Sequence, residues 1–152
     1  MRMEKAVIYR IRESGDICKL MHMFKDRLGS LRNGNEYIEQ MADKFSRYGI
    51  VLCLDVDGDT AAFSAFYCND HEGQEGYLSM IAVRSGYDGK GIGTRLLSHT
   101  EKVCREQGMS RLRLEVNKSN DPAVSFYRKN GFVYTGEQTE KTRFMTKSIL
   151  EV

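Results

Sequence analysis

No apolar run in this chain approaches the roughly 20 residues of a membrane-spanning helix. The opening segment, Met1–Ala6, lacks the apolar core of a secretory signal. Net charge is small, +2 with a pI near 8.3, which argues against electrostatic capture by nucleic acid or a membrane surface. No cysteines are spaced C-x-x-C. Cys18, Cys53, Cys68 and Cys104 lie far apart in the chain, each inside an apolar strand or helix pattern. This distribution argues against a metal site or a disulfide frame and points to buried free thiols in a reducing cytoplasm. The three histidines, His22, His71 and His99, share no ligand spacing, so no metal is expected. Proline occurs once, and no linker, repeat or low-complexity stretch is visible. What remains is one domain spanning residues 1–152, long enough to bury a core, with 41% hydrophobic and 29% charged residues.

Within that composition one segment stands out, Asp88-Gly-Lys-Gly-Ile-Gly-Thr94. An apolar strand, Tyr77–Val83, ends shortly before it. An amphipathic helix begins directly behind it, with Ile92, Leu96, Leu97 and Val103 at helical spacing. Glycines at the mouth of a helix let a ligand approach the backbone. The free N–H groups and positive dipole end of the first turn then favour an anion, most naturally a phosphate or pyrophosphate. The alternative is a flexible strand-to-helix connection. A P-loop is absent, because Lys90 sits between two glycines with no Ser or Thr directly after it. A dinucleotide fingerprint also fails: the sixth position from Gly89 is Thr94, and from Gly91 it is Leu96.

The chain order predicts a mixed α/β domain. Ala6–Arg12 reads as a strand. Ile17, Leu20, Met21, Phe24 and Leu28 share one helical face. Gly29–Asn35 reads as a loop, and Tyr37, Ile38, Met41, Ala42 and Phe45 as a second helix stopped near Gly49. Strands Ile50–Val56 and Thr60–Cys68 flank Asp57-Gly58, a hairpin signal. Asn69–Gly76 reads as a polar loop before the strand at Tyr77. After the helix that ends at Gly108 come a strand at Arg111–Val116, a helix at Asp121–Asn130, and strands near Phe132–Thr135 and Arg143–Leu150. Asp121 is the expected N-cap, Pro122 the first helical residue and Gly131 the C′ residue.

Two motifs recur in this order. The first is Asp88-Gly-Lys-Gly91-Ile-Gly93. The second is Leu112-Arg-Leu-Glu-Val116, then Asn120-Asp-Pro-Ala123, then Phe126-Tyr127-Arg-Lys-Asn-Gly131-Phe132. Together they resemble the GNAT superfamily of acetyl-coenzyme-A-dependent acyltransferases, firmly from Tyr77 to Phe132 and more loosely over nearly the whole chain. The family loop is usually Arg/Gln-x-x-Gly-x-Gly/Ala. Asp88 therefore stands where Arg or Gln is usual, and a carboxylate replaces a side chain that normally helps hold the loop or the phosphates. Lys90 and the backbone N–H groups remain.

The resemblance implies a mostly antiparallel sheet flanked by helices, the GNAT fold, with acetyl-CoA as acyl donor. It implies that the strands on either side of the third helix splay apart and take the pantetheine arm between them. Cofactor contacts then fall to Ile81, Ala82 and Val83, to Asp88, Gly89, Lys90, Gly91, Ile92, Gly93 and Thr94, and to Asn120 and Tyr127. A main-chain N–H near Val83 would polarise the thioester carbonyl. Tyr127 stands at the family's general-acid position, placed to protonate the leaving sulfur; the alternative is a ring that only packs. Glu115 is the first candidate for the base that deprotonates the amine. Its spacing to Tyr127 is similar to that in ribosomal-protein alanine N-acetyltransferases, but a solvated or substrate-contacting carboxylate is the alternative. Glu75 and His71 are the reserve candidates, acting through water; Asp70 and Glu72 share their loop.

Two function classes follow. The first is an N-acetyltransferase acting by direct attack in a ternary complex on a primary amine: a small amine, an amino sugar, an amino acid or antibiotic, or a protein N-terminus or lysine. The second is a non-catalytic acyl-CoA-binding sensor or interaction module. Retention of Tyr127 and the glycines favours the enzyme. No nucleic-acid or membrane partner is expected, and a homodimer is left open. In this fold the acceptor is set by Gly29–Asn35 and Glu137–Thr142, and neither carries a readable motif.

Overall fold

In the computed structural model, which describes residues 5–150, one seven-stranded sheet runs in the order β1-β2-β3-β4-β5-β7-β6. The strands are β1 (Ala6–Ile11), β2 (Ile50–Val56), β3 (Asp59–Asp70), β4 (Glu75–Val83), β5 (Arg111–Asn117), β6 (Val133–Gln138) and β7 (Thr142–Ser148). The helices are α1 (Ser14–His22), α2 (Asn35–Tyr48), α3 (Ile92–Glu106) and α4 (Asp121–Lys129). Only β4 and β5 pair in parallel; every other neighbour pair is antiparallel. The expected mixed, mostly antiparallel sheet is therefore present. The first four residues, part of the segment read for a signal core, lie outside the described residues.

Alternation along the strands divides the interior in two. Leu52, Leu54, Ala62, Phe66, Leu112, Leu114 and Val116 face α3 and α4. Val51, Cys53, Phe63, Ala65, Met80 and Ala82 face α1 and α2. Helical spacing supplies the matching surfaces: Ile92, Leu96, Leu97 and Cys104 on α3, and Ile38, Ala42 and Phe45 on α2. Each fully buried large side chain, such as Phe63 or Phe66, contributes about 1.5–3 kcal/mol.

The structure departs from the sequence reading in four places. The helical face of α1 outlasts the helix: beyond His22, tight turns carry Phe24, whose N–H bonds to Met21 O at 3.0 Å, into the core against Phe63. Within the expected loop 29–35, Gly29–Asn33 forms a short 3-10 helix that buries Leu31. The expected loop 69–76 is mostly strand, with pairing continued to Asp70↔Glu75 around a tight turn at residues 71–74. Asn120, not Asp121, caps α4, its Oδ1 accepting from the Ala123 N–H at 3.2 Å. The first helical residue is then Asp121 and the second Pro122.

All four cysteines are free: Cys53, Cys68 and Cys104 are buried, and Cys18 is half-buried. The fold brings Cys68 and Cys104 together, Sγ to Sγ 3.6 Å, although 36 residues separate them. No helix among the described residues is long and apolar enough to cross a membrane.

Candidate active site

β4 and β5 share only three pairs, Glu75↔Arg111, Gly76↔Leu112 and Tyr77↔Arg113. Beyond them the strands part. The cause is local. Phe66 pairs with Leu78 but Ala65 pairs with Met80, so Ser79 is an extra residue on β4. A bulge of this kind bends the strand and increases its twist. It also moves Met80 to the α1–α2 face, whereas Leu78 lies on the α3 face. The pairing with β5 ends two residues before the bulge.

The bulge leaves an open strand edge. The Arg84 N–H bonds to Ala61 O of β3 at 2.8 Å. Antiparallel alternation then turns the N–H and C=O of Ala82 toward β3 and those of Ile81 and Val83 toward the gap. Of the three residues expected to meet a cofactor, Ile81 and Val83 turn their backbone groups to the gap, and Ala82 turns its own to β3. The Val83 carbonyl already accepts from Arg27 Nε at 2.9 Å.

The gap leads to the glycine loop. Gly89 and Gly91 adopt left-handed conformations, φ +76° and +74°, with Lys90 between them. Backbone of alternating hand is the kind of geometry that builds an anion nest. Gly91 is the N-cap of α3, and no side chain caps that end. Its carbonyl accepts from Arg95 N–H, which leaves the N–H groups of Ile92, Gly93 and Thr94 as the unpaired first turn. The Ile92 side chain is buried, so only its backbone is available, and Thr94 is exposed. Gly93 has a different reason to be glycine. A Cβ there would lie 3.2 Å from the Phe126 ring, so this position lets α4 approach the mouth of α3. Lys90 Nζ bonds to Gly86 O at 3.3 Å and lies 5.7 Å from the Tyr87 ring centroid. Asn120 is engaged through its carboxamide oxygen as the α4 cap.

Asp88 does not stand as an isolated charge. Its Oδ1 is 2.5 Å from Arg27 Nη2. Arg27 thus ties the loop flank to the end of β4. It was invisible in the sequence because 61 residues separate the partners.

On the face opposite α3 and α4, β5 presents Arg113 and Glu115. Arg113 makes a bidentate pair with Glu137, at 3.0 and 2.9 Å, and lies 4.2 Å from the Phe144 ring centroid. Glu115 is exposed, and its Oε2 accepts from Thr142 Oγ1 at 2.6 Å. Glu75 is held by Arg111 at 3.0 Å, which commits this reserve base to an ion pair. His71 is exposed in the β3–β4 turn. Tyr127 comes from α4 on the other face. Its ring meets Phe126 and Phe132 edge-on, centroids 5.5 and 5.6 Å apart. Burial, with a smaller contribution from Tyr77, pushes its phenol up to about 12. The hydroxyl therefore keeps its proton at neutral pH. No three His, Cys, Asp or Glu side chains among the described residues are grouped to hold a metal.

The model of the Acetyltransferase (GNAT) family matches residues 18–132. The chain belongs to this family. Among curated relatives of this GNAT protein, the streptothricin acetyltransferase of Streptomyces lavendulae is 38% identical over 85 residues, covering 56% of this chain and 44% of that protein. The chain spans about half the length of the curated relatives it matches, 44% and 59% for two of them. The ribosomal-protein-S18-alanine N-acetyltransferase of Escherichia coli superposes with a TM-score of 0.76 at 22% identity, over 97% of this chain and 96% of its own. The PaiA N-acetyltransferase of Thermoplasma acidophilum, solved with coenzyme A, superposes at 0.73 with 21% identity, over 95% and 99%. The mixed sheet of this GNAT chain is the fold of those structures.

Proposed function

We propose that the protein transfers an acetyl group from acetyl-CoA to a primary amine, by direct attack in a ternary complex. The observation that carries this reading is the parting of β4 and β5 beyond Tyr77 toward the uncapped N-terminus of α3. A strand edge with free backbone groups suits the amide-bearing pantetheine arm, and a helix mouth with free N–H groups suits the pyrophosphate. The open space around Gly89 and Gly91 supports the same fit, since a Cβ at either would meet nothing within 4 Å.

Bound acetyl-CoA supplies an activated carbonyl and a thiolate leaving group. The chain's own residues do the rest. The N–H groups of Ile92, Gly93 and Thr94, with the Gly89–Gly91 nest, hold phosphate oxygens, and Lys90 adds positive charge beside them. The backbone of Ile81 and Val83 aligns the arm, and an N–H there stabilises the carbonyl oxygen as it gains charge. Glu115, held by Thr142, takes a proton from the amine nitrogen. Tyr127 donates its proton to the sulfur as the C–S bond breaks. The relatives named for streptothricin and for a ribosomal-protein alanine both support an amine acceptor, on a small molecule or a peptide.

The test is thiol release from acetyl-CoA across a panel of primary amines, with the acetylated amine identified by mass. Amine-dependent release supports the reading. Binding of acetyl-CoA with no turnover of any amine would favour the non-catalytic acyl-CoA-binding module.

A further inference from the structure

One residue at the mouth of the gap belongs to neither family motif. Tyr77 is the last β4 residue paired with β5, opposite Arg113, and the strands part directly beyond it. Its antiparallel partner on the other side is Tyr67, whose ring stacks on Phe45 of α2 at 5.4 Å. Paired residues share a face, so Tyr77 lies on the α2 side of the sheet, the side of Arg113 and Glu115. Tyr127 approaches from the opposite side. The sheet is closed below Tyr77 and open above it, so the gap is where groups from the two faces meet. Burial is the main cause that raises the pKa of both tyrosines, but each also feels a neighbour across the gap, Tyr127 feeling Tyr77 and Tyr77 feeling Glu115. Two groups there await a partner. The Tyr77 hydroxyl makes no hydrogen bond to another described residue, and Glu115 has no cationic partner among the described residues, only the Thr142 hydroxyl. Arg113, the nearest cation on the strand, is taken by Glu137.

We propose that Tyr77 is the acceptor-orienting residue of this site, its hydroxyl oxygen accepting one N–H of the incoming amine while Glu115 accepts another, so that the nitrogen lone pair faces the thioester carbonyl at the Ile81–Val83 edge. This rests on the acetyl-transfer reading above. The bond formed is nitrogen to acyl carbon, and the bond broken is acyl carbon to sulfur. The proton leaving nitrogen goes to Glu115 and on to solvent. The proton gained by sulfur comes from Tyr127, which solvent recharges. Tyr77 gains and loses no proton; it holds direction. Two N–H acceptors around one nitrogen select a primary amine, because a secondary amine has one N–H fewer to give.

The experiment uses Tyr77→Phe, which keeps the ring and removes only the hydroxyl. Steady-state kinetics are run on the primary amine that the wild-type protein turns over fastest and on its N-methyl counterpart. Acetyl-CoA affinity is measured by calorimetry and folding by melting temperature. The expected result is a fall of about tenfold in kcat/KM for the primary amine, the scale of one lost hydrogen bond to a reacting group. The N-methyl amine should fall much less, so the preference for the primary amine shrinks. Acetyl-CoA affinity should not change. An unchanged kcat/KM and an unchanged preference in an active protein overturn the role of Tyr77 alone. An equal fall for both amines with a lowered melting temperature overturns it too, since a structural role predicts that. If the wild-type protein acetylates no amine, the transfer reading fails, and this one with it.

Discussion

Gly91→Ala separates anion binding from backbone strain, provided it is run beside Gly108→Ala. Gly91 has φ +74° and Gly108 has φ +89°, and a Cβ at either meets nothing within 4 Å. Neither substitution causes a clash, so each places an alanine in a left-handed conformation at a cost of roughly 1–2 kcal/mol. For a chain of this size that lowers Tm by roughly 2–8 °C. The two glycines bracket α3. Gly91 sits at its mouth and Gly108 past its end, roughly 25 Å away along the helix. Stability should therefore fall alike in the two variants. Binding should not. At Gly91 the methyl group enters the space through which a phosphate reaches the first-turn N–H groups. A hydrogen bond to a charged group contributes about 1.5–3 kcal/mol, so the loss of one weakens acetyl-CoA binding by roughly tenfold to a hundredfold. Calorimetry with acetyl-CoA and a thermal melt on each variant read both quantities. Wild-type affinity in a folded Gly91→Ala protein refutes the assignment of the loop. Equal weakening in Gly108→Ala refutes it as well, because strain alone would then account for the loss.

Further predictions address the remaining roles. Tyr127→Phe should lower kcat on the order of 10²-fold with little change in acetyl-CoA affinity; turnover near wild type would reduce the ring to packing. Because burial raises this phenol from 10.0 to about 12, the folded state favours the protonated form. That contribution to stability is fully present below pH 10 and is lost as pH rises toward about 12, so alkaline melts of Tyr127→Phe should decline less steeply over that window than those of the wild type. Glu115→Gln should reshape the acidic limb of the pH–rate profile and penalise acceptors of high pKa most; an unchanged profile with a raised KM for cationic amines alone would make Glu115 a binding carboxylate. Asp88→Arg should break the pair with Arg27, place two cations together and leave acetyl-CoA binding no tighter; a tightening of about tenfold in calorimetry would mean that position 88 faces the phosphates.

Short-range chemistry was legible in the sequence. Asp57-Gly58 forms the predicted hairpin turn with both residues at positive φ, +50° and +87°, and Val56 pairs with Asp59 across it. The glycine loop sits at the mouth of α3, as its place between an apolar strand and an amphipathic helix implied. Misreadings arose where neighbouring residues compete. Asn120 and Asp121 are both good caps, and the conformation at Asn120, φ −88° and ψ 74°, decides between them. What could not be read depends on distant partners. The bulge at Ser79 exists only relative to Ala65 and Phe66 on β3. The Arg27–Asp88 pair joins the loop to a segment 61 residues earlier. Tyr77 was hidden for a different reason. It looked like the first residue of a strand, and only the register with Arg113 shows that the sheet opens just past it.

The most direct test of the central claim is the release of coenzyme A thiol from acetyl-CoA as a function of added primary amine. The parted strands, the uncapped helix mouth and the proposed roles of Glu115 and Tyr127 predict release that depends on the amine, saturates with it and matches the acetylated amine one for one. Release that is absent, or that proceeds at the same rate with no amine present, would contradict the account.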